Sequence, residues 1–261
     1  TGLRLKRINA MDTNTVYPFL LYLFGEANRA GRVENLAAIL QLVESYLVRR
    51  FVCRLTTKKY NYVFMQLLRN IAEGDGTIDP DVIAAHLRGF EGVSVEWPSD
   101  DAFRTAWMEN AIYASGRAST VLMMLSALDN ELQGDGREPV EITYDQLWIE
   151  HVMPQSWETH WPLSEPEAGP TEQDAPSPAG PTPEETRNRL IHTFGNLTLL
   201  TENLNRDLKN SPYTIKKPRI TQNSALALNA YFQNHDSWSE AKICERGECL
   251  FNAALRLWPK L

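Results

Sequence analysis

Leu147-Trp148-Ile149-Glu150-His151-Val152-Met153-Pro154, then Phe194-Gly195-Asn196-Leu197-Thr198-Leu199-Leu200, then Thr201 through Asn210, decide how this chain reads. The first run is short and apolar-rich and is stopped by Pro154, which makes a strand over 147–152. Gly195-Asn196 is a turn signal, 197–200 a second strand, and Thr201 an N-cap for a helix reaching about Asn210. Polar groups collect where these elements meet. Glu150 and His151 close the first strand, Asn196 sits in the turn, and Asn203, Asn205 and Asn210 ride on the helix. Period-two alternation sends Glu150 and His151 to opposite faces, so both serve one centre only where the strand ends or bends. Pro154 supplies such an end.

Between the two strands, residues 162–186 hold seven prolines among Gly, Ala, Glu and Ser. That composition cannot build a packed core and reads as a mobile surface insertion, with order resuming at Arg187. Pro212 and Pro218 are expected to stop the helix after the second strand, and a last helical region runs from Ala225 to Trp258. Upstream, the first 135 or so residues read as helical. Leu36, Ile39, Leu40, Val43 and Leu47 form one helical stripe, and Phe64, Leu67, Leu68 and Ile71 another. Asp79-Pro80 is an N-cap followed by a first-turn proline, further helices run from Ser99 and Ala118, and Gly134-Asp135-Gly136 ends the series. The expected fold is therefore mainly α, a helical bundle over 1–138 followed by a strand–strand–helix domain over 139–261.

Composition bounds the function. The chain has 261 residues, a formal net charge of −7 and three cysteines. The cysteine count fits a reducing, cytoplasmic setting, and no apolar run is long enough for a bilayer, so no membrane partner is expected. Cys244 and Cys249 lack zinc spacing and read as ordinary thiols. Charge is segregated: residues 1–70 carry +7, 71–186 carry −19, and 187–261 carry +5. Two basic stretches are therefore available to face phosphate despite the acidic total. Trp107, Trp148 and Trp258 lie in apolar runs and are expected in the core. His160 and His235 are expected in solvent, and Thr193-Phe194 in packing.

Hydrolysing a phosphodiester needs a base for water and positive charge for the phosphorane and leaving oxygen. His151 suits the first task. A hard divalent cation held by carboxylate and amide oxygens suits the second, and Mg²⁺ or Mn²⁺ fits better than Zn²⁺ because no thiolate lies nearby in sequence. A zinc peptidase is disfavoured, since the helical His-Glu-x-x-His spacing is absent.

The wording of these segments resembles an HNH nuclease of the His-Me finger (ββα-metal) superfamily. Within it, the C-terminal nuclease domain of GmrSD-type, modification-dependent restriction enzymes is most similar. Tyr46-Leu47-Val48-Arg49-Arg50 and Thr56–Asn61 look like the preceding helical segment, and Trp238, Ile243, Arg246 and Leu250 like the closing helix. The resemblance implies a ββα-metal core with flanking helices and a metal-dependent DNA endonuclease, nicking by default. In it His151 is the general base, Glu150 and Asn205 are metal ligands, and Asn196 is the brace that orients the histidine. Asn210 and His192 would lend structural support. Arg187, Arg189, Arg206, Lys209 and Lys216 are expected phosphate contacts, because they flank the site in a basic stretch. The alternative is a non-catalytic DNA-binding or regulatory module that keeps the nuclease shape.

Two departures from the pattern stand out: a helix asparagine where histidine is usual, and the long proline-rich insertion. No Walker-type loop occurs, and the first residue is Thr1. The chain is expected to be the C-terminal half of a protein whose N-terminal domain hydrolyses nucleotide and senses modified DNA. The composition loosely resembles the SspE-type branch, which is paired with DNA phosphorothioate modification in anti-phage defence.

Overall fold

The computed structural model describes residues 1–73, 78–115, 117–134, 144–163 and 180–261. Among these the chain is mainly helical, with a single two-stranded sheet. No helix among them is long and apolar enough to cross a membrane. Two compact units emerge, one of Thr1–Trp107 with Phe251–Leu261, the other of Met108–Leu250.

The first unit contains α1 (Gly2–Ala10), α2 (Tyr17–Ala30), α3 (Leu36–Val52), α4 (Tyr60–Glu73), α5 (Pro80–Arg88) and most of α6 (Asp100–Glu109). The expected stripe of α3 is buried throughout, and so are its polar Glu44, Ser45, Arg49 and Arg50. These charges survive burial because each has partners. Arg50 donates to the carbonyls of Glu96, Thr56 and Ser94, and Glu44 accepts from the Trp258 indole N–H at 2.9 Å. Asp79 caps α5 as its sequence demands, its carboxylate accepting from the Asp81 amide at 2.8 Å.

The second unit contains α7 (Ala118–Gln133), β1 (Leu147–His151), α8 (Pro183–Leu190), β2 (Leu197–Thr201), α9 (Glu202–Leu208), α10 (Tyr213–Asn223), α11 (Ala227–Ala230) and the greater part of α12 (Glu240–Leu257). Strands β1 and β2 pair antiparallel, with Leu147 opposite Thr201, Ile149 opposite Leu199 and His151 opposite Leu197. The core beneath them includes Val152, Met153, Trp157, Leu200, Leu204, Leu208, Phe232 and Trp238. Helix α7, read from sequence with the N-terminal bundle, belongs to this unit, and the boundary placed at 138 falls inside it. Asp129 is the reason: fully buried, it accepts from the Tyr144 hydroxyl and from the Leu228 amide, both at 2.8 Å.

Four expectations are corrected. Helix α8 starts at Pro183, inside the stretch read as insertion, on a capping box between Thr182 and Glu185. Residues 164–179 of that stretch lie outside the described residues. Pro218 does not stop a helix but sits inside α10, where buried Tyr213, Lys216 and Ile220 outweigh the lost ladder bond. The region 225–258 is broken into α11, a short 3₁₀ turn (Tyr231–Asn234) and α12. Trp148 is 54% exposed, whereas Trp107 and Trp258 are buried as expected.

Candidate active site

The turn before β2 is built around Asn196, which is fully buried. Its Oδ1 accepts from the Met153 amide at 2.8 Å and from the Trp238 indole N–H at 3.0 Å. Its Nδ2 donates to the carbonyls of Met153 and Ile191 at 2.8 and 2.9 Å. With all four bonds made, the side chain ties the segment just after His151 to the chain preceding β2. Its own backbone carbonyl also accepts from the Val152 amide at 3.0 Å. Asn196 is therefore a brace and has nothing left to offer a substrate.

Gly195 is required beside it. A Cβ there would lie 2.0 Å from the Ile243 carbonyl oxygen, so α12 packs against bare backbone at this point. Arg246, one turn further along α12, donates to the carbonyls of Gly195 and Leu197 at 2.8 Å each and stacks over Phe232. Burial without a carboxylate lowers its pKa to about 10.

His151 ends β1, and there the strand stops, as Pro154 foretold. Its Nε2 lies 3.2 Å from His192 Nδ1, with the two rings perpendicular, and the tautomers decide which nitrogen donates. The Tyr113 ring meets His151 edge-on at 4.6 Å, and the Tyr113 amide donates to the His192 carbonyl at 3.2 Å. Gln155 Nε2 stands 3.5 Å from His151 Nδ1. Burial, then the facing His192, then the Lys216 charge push the His151 pKa down to about 3. The imidazole is thus neutral at neutral pH, with Nε2 against His192 and Nδ1 loosely met by Gln155. His192 is half-buried and its pKa is lowered by the same loss of water. Sequence placed it in a supporting role; the structure brings it into contact with His151. Tyr113 and Gln155 were missed, and Tyr113 carries no local signal, being 38 residues from His151 in sequence.

Glu150 points away from His151, as alternation requires. Lys216, fully buried in α10, donates to its Oε1 at 2.5 Å and to the His151 carbonyl at 2.7 Å. Burial pushes the Glu150 carboxyl up and the Lys216 ammonium down, while each charge opposes the shift in the other. Lys216 is therefore not a phosphate contact, because its charge is engaged inside. The same correction applies to Arg187, which is buried, ion-paired to Glu240 at 2.5 Å, bonded to the Trp161 carbonyl and stacked on Trp157. Arg189, Arg206 and Lys209 are exposed, the last two on or just after α9. Asn205 is half-buried on α9 and Asn210 is exposed beyond its end. His160 is exposed as expected, but His235 is stacked on Tyr231 at 4.1 Å and bonded to its carbonyl.

Among the described residues no three His, Cys, Asp or Glu side chains cluster as a metal cage. A carboxylate has about four lone-pair positions, and Lys216 occupies one at Glu150. Glu150 and Asn205 would therefore give a hard cation at most two protein ligands, with the carboxylate already shared with Lys216. Among the described residues there is no preformed, all-protein site to hold one tightly.

No curated protein matches this chain. The model for GmrSD restriction endonucleases, C-terminal domain, matches residues 97–253 and so takes in both strands, the Asn196 brace and the His151 pair. That match spans more than half of the chain, which therefore belongs to the family of GmrSD restriction endonuclease C-terminal domains.

Proposed function

We propose that this chain is a metal-dependent DNA endonuclease of the HNH type, in which β1, β2 and α9 are the ββα-metal core and His151 is the general base. One observation carries the reading: a neutral histidine at the end of a strand, oriented by His192 through Nε2 and by the Asn196 brace through the backbone that follows it. Water takes the place of the loosely held Gln155 amide at Nδ1 and gives up a proton there as its oxygen attacks phosphorus. The bond from phosphorus to the leaving oxygen then breaks, and that oxygen takes a proton from solvent while His151 later returns its own proton to solvent. In the free protein His151 holds protons weakly. The negative phosphate of bound DNA favours the imidazolium and strengthens the base where it acts. Mg²⁺ or Mn²⁺, held by Glu150 and Asn205, would supply positive charge to the scissile phosphate. Lys216 keeps Glu150 ionised and in place, and Arg189, Arg206 and Lys209 bind the flanking phosphates.

On this reading one site per chain makes nicking the default outcome. The biological setting is restriction in anti-phage defence within the cytoplasm, with a nucleotide-hydrolysing domain that senses DNA modification, phosphorothioate among the candidates, as the partner. The test is supercoiled plasmid with Mg²⁺, Mn²⁺ or EDTA, beside His151→Ala. The expected result is relaxed plasmid that requires metal, with cleavage falling by several orders of magnitude in the variant while DNA affinity and melting stay near wild type. Equal cleavage by the variant overturns the assignment of the base. DNA bound but uncut in every condition, and still uncut with the sensing domain restored, overturns the nuclease reading in favour of a regulatory module.

A further inference from the structure

The contact between His151 Nε2 and His192 Nδ1, 3.2 Å long, has two settings. In the first, His151 carries its proton on Nε2 and donates it to a bare His192 Nδ1, which leaves His151 Nδ1 open as a base. In the second, His192 donates from Nδ1 to a bare Nε2, so the one proton of neutral His151 sits on Nδ1 and the base is closed. A neutral imidazole has one donor and one acceptor nitrogen, so no third arrangement keeps the bond. Gln155 turns its Nε2, a donor, towards His151 Nδ1 at 3.5 Å, and a donor there suits a bare nitrogen and the open setting. Acid reverses the choice. An added proton enters at His151 Nδ1 while the Nε2 proton crosses to His192, which then donates from both nitrogens. The charge rests on His192 because that ring is half-buried, whereas His151 is 7% exposed and feels the Lys216 ammonium. The groups that face the pair are the Tyr113 ring, parallel to His192 within 3° at 6.1 Å, Gln155 beside His151, and Lys216 of α10 on the His151 carbonyl. On its own segment the His192 amide donates to the carbonyl of Arg189, whose side chain is exposed.

We propose that His192 is a positioning residue that sets where His151 carries its proton: neutral, it holds the base open, and protonated, it closes it, so acid switches cleavage off through His192. The proposal rests on the nuclease reading above and adds the regulation of its base. The identity of the orienting group is what matters. A carboxylate in this place only accepts and holds one tautomer, whereas an imidazole reverses from acceptor to donor when it gains a proton.

Ring nitrogen NMR and cleavage rates test it together. The chain has five histidines, and His151→Ala and His192→Asn identify the two signals by their loss. At neutral pH His151 should carry its proton on Nε2, with His192 Nδ1 bare. On acidification His151 should pass to the Nδ1-protonated, still neutral form as His192 becomes doubly protonated. His192→Asn keeps an acceptor oxygen near the place of Nδ1 and takes up no proton; His192→Phe keeps a ring beside Tyr113 and offers no acceptor. With saturating Mn²⁺ and plasmid, the wild-type single-turnover rate should fall about tenfold for each pH unit below the His192 pKa. His192→Asn should keep most of the neutral rate and stay flat over that span, and His192→Phe should cut at least about tenfold more slowly at neutral pH with its melting temperature near wild type. The proposal falls if His151 carries its proton on Nδ1 at neutral pH, or if His192→Phe cuts as wild type does. It also falls if His192→Asn keeps the wild-type acid limb, which then belongs to another group such as Glu150. Failure of the nuclease reading is separable: wild-type protein then never cuts, while the ring signals still decide whether His192 moves the proton of His151.

Discussion

Lys216 is fully buried, and its ammonium reaches both the Glu150 carboxylate and the His151 carbonyl. Removing it strands a buried carboxylate. Lys216→Met should cost about 3–5 kcal/mol in urea unfolding at pH 7, and Glu150→Gln with Lys216→Met should recover most of that loss. The pH dependence has a defined sign. Burial already raises the Glu150 pKa, and loss of Lys216 raises it further. A group whose folded pKa is raised contributes stability below its unfolded pKa and loses it as pH rises through the folded value. The deficit of the single variant should therefore shrink as pH falls towards the carboxyl range; a deficit independent of pH would mean that Lys216 acts by packing alone. Sequence showed Lys216 only as one cation in a basic stretch. Its partner lies 66 residues earlier, and no spacing rule reports a pairing across that distance. Arg187 was hidden in the same way, by a Glu240 that lies 53 residues later. The places of His151 and Asn196 were legible because a strand end and a turn are local signals, whereas the approach of α12 to Gly195 carried no local signal.

At the scale of elements, the site depends on bringing the turn before β2 against α12. Gly195 makes that possible, and a Cβ there would strike the Ile243 carbonyl oxygen at 2.0 Å, a backbone atom that cannot move aside. Gly195→Ala should destabilise by about 3 kcal/mol and reduce cleavage with it, since the Asn196 brace shifts as the turn is displaced. Gly247→Ala is the control. Its Cβ would meet the flexible Met108 side chain at 3.1 Å, so its melting temperature should stay much closer to wild type. Equal melting temperatures for the two variants would show that the turn yields as readily as a side chain. Both strands, α5 and α7 were readable because caps, prolines and hydrophobic period act locally. The breaks inside 225–258 were not, because the apolar positions of α11 and α12 continue across the 3₁₀ turn between them. Thr182-Pro183-Glu184-Glu185 is a local helix-start signal, masked by the proline-rich stretch that leads into it.

For the whole molecule, segregated charge is the feature that composition alone conceals, and the structure narrows which cations can act on it. Arg187 and Lys216 have their charges engaged in buried pairs, which leaves Arg189, Arg206 and Lys209 as exposed members of the expected phosphate-binding set. Lys209 offers the cleanest probe because it sits at φ 41°, where glycine is at ease and a lysine is strained. Lys209→Gly should remove a charge while holding or raising the melting temperature, so any weakening of binding is electrostatic. Removing one cation that neutralises a phosphate should lower the slope of log affinity against log salt by about 0.9 on duplex DNA. Lys209→Gly and Arg206→Ala together should therefore lower it by about 1.8, uniformly across sequences. Lys216→Met, compared at a temperature where it remains folded, should leave the slope unchanged. A slope that responds to Lys216 but not to Lys209 would move the DNA path off α9.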